Sequence, residues 1–173
     1  MTGIEKQYAR AVFSLALKRR EEKEFFEDLK GFLEGLDETS WKFFLHPKLS
    51  KTNKHEVFDK VVTSKLLRNF LKVLIDNDRF FLLESISLAY YDLLNELFEV
   101  VDVFVYSKTP LTSSNLDRIS ENLSHKLNKK VVIKELIDET IVGGMRIEYQ
   151  GMVIDQTINS SLENIKASLI GGN

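Results

Sequence analysis

No cysteine occurs in the 173 residues of this chain, which excludes disulfides, thiolate metal sites and cysteine nucleophiles. Proline is nearly absent as well: only Pro47 and Pro110 interrupt the backbone, so long helices are unopposed elsewhere. The three histidines, His46, His55 and His125, are scattered at spacings that build no metal site. Neither sign of charge dominates, with 24 basic against 26 acidic residues and a net charge of −2. That balance gives no global attraction to nucleic acid or anionic lipid. No apolar run approaches the ~18 residues that span a bilayer. The opening Met1 to Lys6 lacks a signal-peptide core and an Arg-rich transit character. The expectation is therefore a soluble chain without a leader, reaching any membrane only through a partner.

What is present is enough to fold. A hydrophobic content of 43% supports a real core, while 29% charged residues keep the surface wet. The length suits one large domain or two small ones, and the texture changes near residue 101. Before that point apolar residues recur at helical spacing and predict helices over 4–20, 22–37, 39–45, 51–62, 65–77 and 79–100. Thr39-Ser40 is the expected cap of the third, and Ser50 or Thr52 of the fourth, after the turn at His46-Pro47. Six helices with short connections predict a bundle. From Val101 the pattern alternates, with Val101, Val103 and Val105 on one face and Asp102, Phe104 and Tyr106 on the other. A helix over 113–127 capped from Thr112 to Asn115, a strand over 130–136, strands over 141–149 and 152–155, and a helix over 157–170 complete the reading. The fold class is α+β: a helical bundle over 1–100, then a small mixed α/β domain over 101–173.

Two helices carry more apolar surface than a bundle position needs. In the first, Tyr8, Ala9, Ala11, Val12, Phe13, Leu15, Ala16 and Leu17 cover roughly 240° of the circumference, where a little over ~100° suffices. In the fifth, Leu66, Leu67, Phe70, Leu71, Val73, Leu74 and Ile75 cover roughly 200°. Either both helices are covered on all sides, or one face of each lines a groove for a partner helix.

Chemistry finds no foothold. His55 and Glu56 are neighbours and point different ways on a helix. Glu84, Asp92, Asn95, Glu96 and Glu99 share one arc of the sixth helix and read as its wet face. Gly143-Gly144 lacks the Gly-x4-Gly-Lys-Ser/Thr spacing of a phosphate loop and reads as a bulge or close backbone approach within a strand. Gln150-Gly151 reads as a hairpin turn, and Asp155 as the cap of the closing helix. No catalytic, metal or cofactor-binding residue is expected. An RNA-binding or regulatory adaptor role for the mixed domain is the alternative, resting on Lys126, Lys129, Lys130 and Lys134. It lacks an aromatic RNP-like run and a Gly-x-x-Gly clamp.

Three stretches carry a resemblance. Tyr8-Ala9-Arg10-Ala11-Val12-Phe13-Ser14-Leu15-Ala16 is similar to a Tyr-Ala-x-Ala-Leu-Phe-x-x-Ala opening, and Asn69 to Arg79 to Asn-Phe-Leu-x-Leu-Leu-x-x-Asn-x-Arg. Ile137 to Asp155, with Gly143-Gly144 and Gly151, is similar to a C-terminal signature. All three resemble the delta subunits of F-type ATP synthases, relatives of the oligomycin-sensitivity-conferring protein. The Leu45-His46-Pro47 turn followed by Lys54 matches as well. The resemblance implies a non-catalytic stator subunit whose bundle receives the N-terminal helix of an alpha subunit. Carried over by position, that groove comprises Tyr8, Ala11, Val12, Leu15, Asn69, Val73 and Asn77. It further implies that the C-terminal domain meets the b subunits of the peripheral stalk, on the cytoplasmic face of a bacterial inner membrane. No cofactor, nucleic acid or direct membrane contact is implied. The chain departs from the family's Asp-Gly-Ser and early arginines, with Asp155-Gln156-Thr157 and then Asn159, Ser160 and Ser161.

Overall fold

A computed structural model describes residues 3–162. Its packing divides the chain into two units, Met1–Leu97 and Phe98–Asn173. The class is α+β, with a helical first unit and a four-stranded mixed sheet with a helix in the second.

The first unit comprises α1 (Gly3–Arg19), α2 (Glu22–Glu34), α3 (Glu38–Leu45), α4 (Lys51–Val61), α5 (Lys65–Asp76) and α6 (Leu83–Leu97), with a 3-10 turn at Phe80–Leu82 before α6. Its core is strongly aromatic. Tyr90 of α6 meets Phe13 of α1 and Phe25 of α2 at ring separations of 5.3 and 5.0 Å. Phe58 of α4 stacks on Phe44 of α3 at 4.7 Å and meets Phe32 and Phe80. Such offset and edge-on pairs add to the area they bury.

Helix ends are set by side chains the periodicity does not rank. Asp37, not Thr39-Ser40, caps α3, its carboxylate accepting from the Ser40 N–H at 2.7 Å. Ser50 caps α4 by accepting from the Asn53 N–H. The α5 terminus closes with Asp78 in the left-handed region at φ 54°. There the Arg79 N–H donates to the Leu74 carbonyl and the Asp78 N–H to that of Ile75, the double bond pattern of a Schellman motif. Arg20 at φ 60° ends α1 the same way. Helix α6 stops at Leu97, short of the expected 100, because Glu99 adopts φ 52° and the chain turns into the sheet.

Tyr90 is fully buried and its hydroxyl donates to the Glu22 carbonyl at 3.0 Å. Burial, and secondarily the charge of Glu22, holds its phenol well above the ordinary tyrosine range. A raised folded-state value favours the neutral form. The contribution is therefore complete below the unfolded value of ~10 and is lost as pH rises beyond it. Tyr90 phenolate absorbance is expected to appear only together with alkaline unfolding, and Tyr90→Phe to remove that coupled step.

The second unit contains β1 (Val100–Ser107), α7 (Ser113–Leu127), β2 (Lys130–Ile137), β3 (Gly144–Tyr149) and β4 (Met152–Thr157), in sheet order β2-β1-β3-β4. Strand β1 runs parallel to β2 and antiparallel to β3, and β3 and β4 form a hairpin. The alternation in β1 is as the sequence implies: Val101, Val103 and Val105 are buried. They pack with Leu123, Ile119 and Leu127 of α7. On the opposite face Lys134 stands over the Phe104 ring and Arg146 over that of Tyr106. Residues 158–162 begin a further helical turn. The rest of the expected helix over 157–170, and the glycines of the tail, lie outside the described residues.

Candidate functional site

Helix α1 packs on α6 and α2, and α5 on α4 and α2, while α1 and α5 are not among the closely packed pairs. Each therefore has a neighbour on one flank and an open flank on the other. On α1 the α6 side carries Phe13, against Tyr90, with Lys6 and Arg10 facing Ala89 and Leu93. The other flank carries Ile4, Tyr8, Ala11 and Leu15, spaced i, i+4, i+7, i+11 along one stripe. On α5 the α4 side carries Lys72 and Arg68, which hold Asp59 at 2.7 and 3.7 Å. The remaining flank presents Asn69, Val73 and Asn77 at intervals of four.

Exposure separates the candidate groove residues. Leu15 is 50% exposed and Val73 46%, Ala11, Asn69 and Asn77 are exposed, and Tyr8 is half-buried. Val12 is a correction. At 2% exposure it sits in the core with Ala9 and Ala16, because one residue of rotation from Ala11 turns its side chain inward. Asn77 already has a structural task, its side-chain amide donating to the Val73 carbonyl at 2.7 Å. Ile4, absent from the expected set, extends the α1 stripe by one turn. Its place at i−4 from Tyr8 was available in the sequence. The apolar arcs thus resolve differently: that of α5 is nearly all core, whereas α1 leaves Leu15 and Leu17 in water.

The C-terminal signature has a backbone explanation. Gly144 has φ +82°, and a Cβ there would collide with the Gln156 carbonyl oxygen across the hairpin. At Gly143 a Cβ would come within 2.7 Å of Ile158 Cδ1. Gln150 and Gly151 both have positive φ, 48° and 79°, which is the two-residue turn that matches strand twist. Gly144→Ala is expected to cost about 2 kcal/mol or more, since strain and collision coincide. Gly151→Ala, with open space around it, should cost about 1 kcal/mol. Urea midpoints of the two variants measure the difference.

Asp155 is a second correction. It lies inside β4 opposite Arg146, and the cap is Thr157, whose hydroxyl accepts from the Ser160 N–H at 3.2 Å. The Asp155 carboxylate accepts from the Thr157 N–H at 2.9 Å, and its interactions with the Thr157 side chain and then backbone hold its pKa below the ordinary carboxylate value. The strand outlasts the expected end because β3 offers partners as far as Gly144↔Thr157. Asn159 ties the helical turn to the preceding loop, accepting from the Val142 N–H and donating to the Thr140 carbonyl.

Among the described residues no group of three or more metal-ligating side chains converges, and no helix is long and apolar enough to cross a membrane. His55 Nε2 lies 3.0 Å from Asp76 Oδ1, joining α4 to α5. Three of the four lysines in the basic cluster lie beside carboxylates. Lys134 pairs with Asp102 at 2.8 Å, and Lys129 and Lys130 share a cleft with Glu99 and Glu121.

A family model described as ATP synthase delta (OSCP) subunit matches residues 4–169. The ATP synthase subunit delta of Clostridioides difficile (strain 630) is 34% identical over 173 residues, covering 96% of this chain and 95% of its own. That of Caldanaerobacter subterraneus subsp. tengcongensis is 36% identical over 163 residues, covering 92% of each. The fold is similar to a chain in a cryo-EM structure of the Toxoplasma gondii mitochondrial ATP synthase hexamer. That match has a TM-score of 0.72, 18% identity and 98% coverage of both chains.

Proposed function

This chain belongs to the ATP synthase delta (OSCP) subunit family, and on that premise we propose that its helical unit holds the catalytic head through the N-terminal helix of an alpha subunit, while its mixed unit holds the b subunits of the peripheral stalk. It is a non-catalytic stator subunit of an F-type ATP synthase. Its work is mechanical: to keep the head from turning with the rotor.

The observation that carries the proposal is the pair of open flanks on α1 and α5. Ile4, Tyr8, Ala11 and Leu15 offer an apolar stripe one helix long, and Val73 between Asn69 and Asn77 offers the opposite wall. An amphipathic helix laid between them would bury side chains worth about 1.5–3 kcal/mol each when fully covered. Ala11 would let its backbone approach closely. The two asparagines would supply polar edges that fix register.

The stalk contact draws on the apolar side chains that the second unit leaves in water, among them Val132, Leu136 and Ile137 on β2 and Met152 and Val153 on β4. A strut under torque needs slow dissociation at both ends. Linking two contacts in one chain raises the effective concentration of each end once the other is bound. The subunit would thus sit peripherally, on the cytoplasmic face of a bacterial inner membrane.

Calorimetric titration of the full chain with a peptide of the alpha subunit's N-terminal helix tests the head contact. Saturable binding with a negative heat-capacity change, the mark of apolar burial, is expected. A folded chain that takes up no peptide would remove the groove.

A further inference from the structure

Where the α3–α4 turn meets the end of α5, the helical unit encloses a half-open cavity of about 310 Å³. Phe44, Ile75, Phe80 and Phe81 form much of its apolar wall, which Lys51, Lys54 and Asp78 interrupt. It lies on a different flank of α5 from Val73, since Ile75 is two residues further round the helix.

Lys54 of α4 lines this cavity although it is only 7% exposed. Its ammonium donates to the His46 carbonyl at 2.9 Å. Among the described residues no carboxylate oxygen lies within 4.0 Å of it. The other two charges on the wall answer each other: Lys51 pairs with Asp78 at 3.0 Å and also donates to the Asp76 carbonyl. Among the described residues, Lys54 is thus left without a carboxylate to answer its charge. Lysine has three donors, of which the His46 carbonyl takes one, and a buried charge without an opposite charge beside it is unfavourable. Holding the His46–Pro47 turn needs only a neutral donor, so that task does not account for the charge.

The rim completes the pattern. Leu45 and Phe81 are 47% and 55% exposed beside the cavity mouth, more apolar surface than a small ligand in the cavity would cover. The volume is at the lower end of ligand sites, ~300–1,000 Å³, enough for one aromatic and one acidic side chain.

We propose that this cavity docks a segment of a partner protein in which a carboxylate side chain adjoins an aromatic or aliphatic one. The carboxylate pairs with Lys54 Nζ, and the apolar neighbour covers Leu45 and Phe81. The site is independent of the alpha-helix groove, and its test uses different residues.

The test is titration of the full chain with the peptide acetyl-Leu-Phe-Glu-amide, followed by backbone amide shifts over residues 44–54 and 75–81. Saturable shifts are expected. Affinity should fall at least tenfold for acetyl-Leu-Phe-Gln-amide, for Lys54→Met with the original peptide, and for Phe81→Asp at the exposed rim. Absence of saturation, equal affinity for the Glu and Gln peptides, or unchanged binding by Lys54→Met would overturn the site. Should Lys54→Met not fold, the Gln peptide and Phe81→Asp decide alone, because neither alters the core. Phenylacetate binding as tightly as the Glu peptide would overturn the partner segment in favour of a free small carboxylate.

Discussion

Leu15→Asp and Val73→Asp are each expected to weaken binding of the alpha-subunit helix peptide at least a hundredfold while leaving the free chain's melting midpoint within about 2 °C. The two halves of this result have separate causes. In the free chain both side chains are about half in water. A charge there is solvated, and surface substitutions of this kind change stability by about 0.5 kcal/mol or less. In the complex the same carboxylate would lie between two apolar helices without a partner. A hundredfold loss needs only about 2.8 kcal/mol, which is within the cost of removing a charge from water. The informative control is Leu17→Asp. Leu17 is 44% exposed on the same helix, but its position places it on the α6 side of α1, away from the stripe. It should bind peptide normally. Equal losses at Leu15 and Leu17 would mean that the peptide does not follow the α1–α5 gap.

That control also marks where sequence reading stops. Periodicity locates an apolar arc on α1 but does not say which part of it a neighbour covers, because coverage depends on α6, more than sixty residues away in the chain. Ala11 and Val12 are therefore indistinguishable in the sequence, and only packing sends Val12 inward and leaves Ala11 open. The elements themselves were legible because each relies on local signals: helical spacing through α1–α6, strict alternation in β1, and a Gln150-Gly151 turn. Their ends were less so. Glycine, or less often asparagine, is the expected residue at a left-handed helix terminus; Asn128 fits that rule, yet Arg20, Asp78 and Glu99 carry no such mark. Asp155 and Thr157 show the same limit at a cap, since either residue type suits the position. The outcome is decided by how far β3 continues to pair. Lys54 was readable as part of a turn motif but not as a buried cation, because a lysine on an amphipathic helix is ordinarily solvated.

Phe58→Ala is expected to lower the stability of the helical unit by about 3–5 kcal/mol, measured by urea unfolding with hydrogen exchange across α2 to α5. Phe58 is wholly buried and joins four elements through its ring contacts: Phe32 on α2, Phe44 on α3, its own α4, and Phe80 in the 3-10 turn. No one neighbour can move into the vacated space without leaving another. The space would also approach a half-open cleft of about 340 Å³ lined by Phe32, Phe44, Val57 and Leu67, bringing water towards aromatic faces that are now dry. The expected loss is a large fraction of the ~5–15 kcal/mol that a folded domain has in total. Phe58→Leu, which keeps most of the volume, should lose less than half as much. The α1 stripe and Val73 make none of these ring contacts. Alpha-peptide affinity measured well below the lowered transition should therefore stay within about threefold of the original, since fold-preserving changes at independent sites add. A hundredfold loss of affinity in folded Phe58→Ala would mean that the walls of the groove are set by the α3–α4 core and not by α1 and α5 alone.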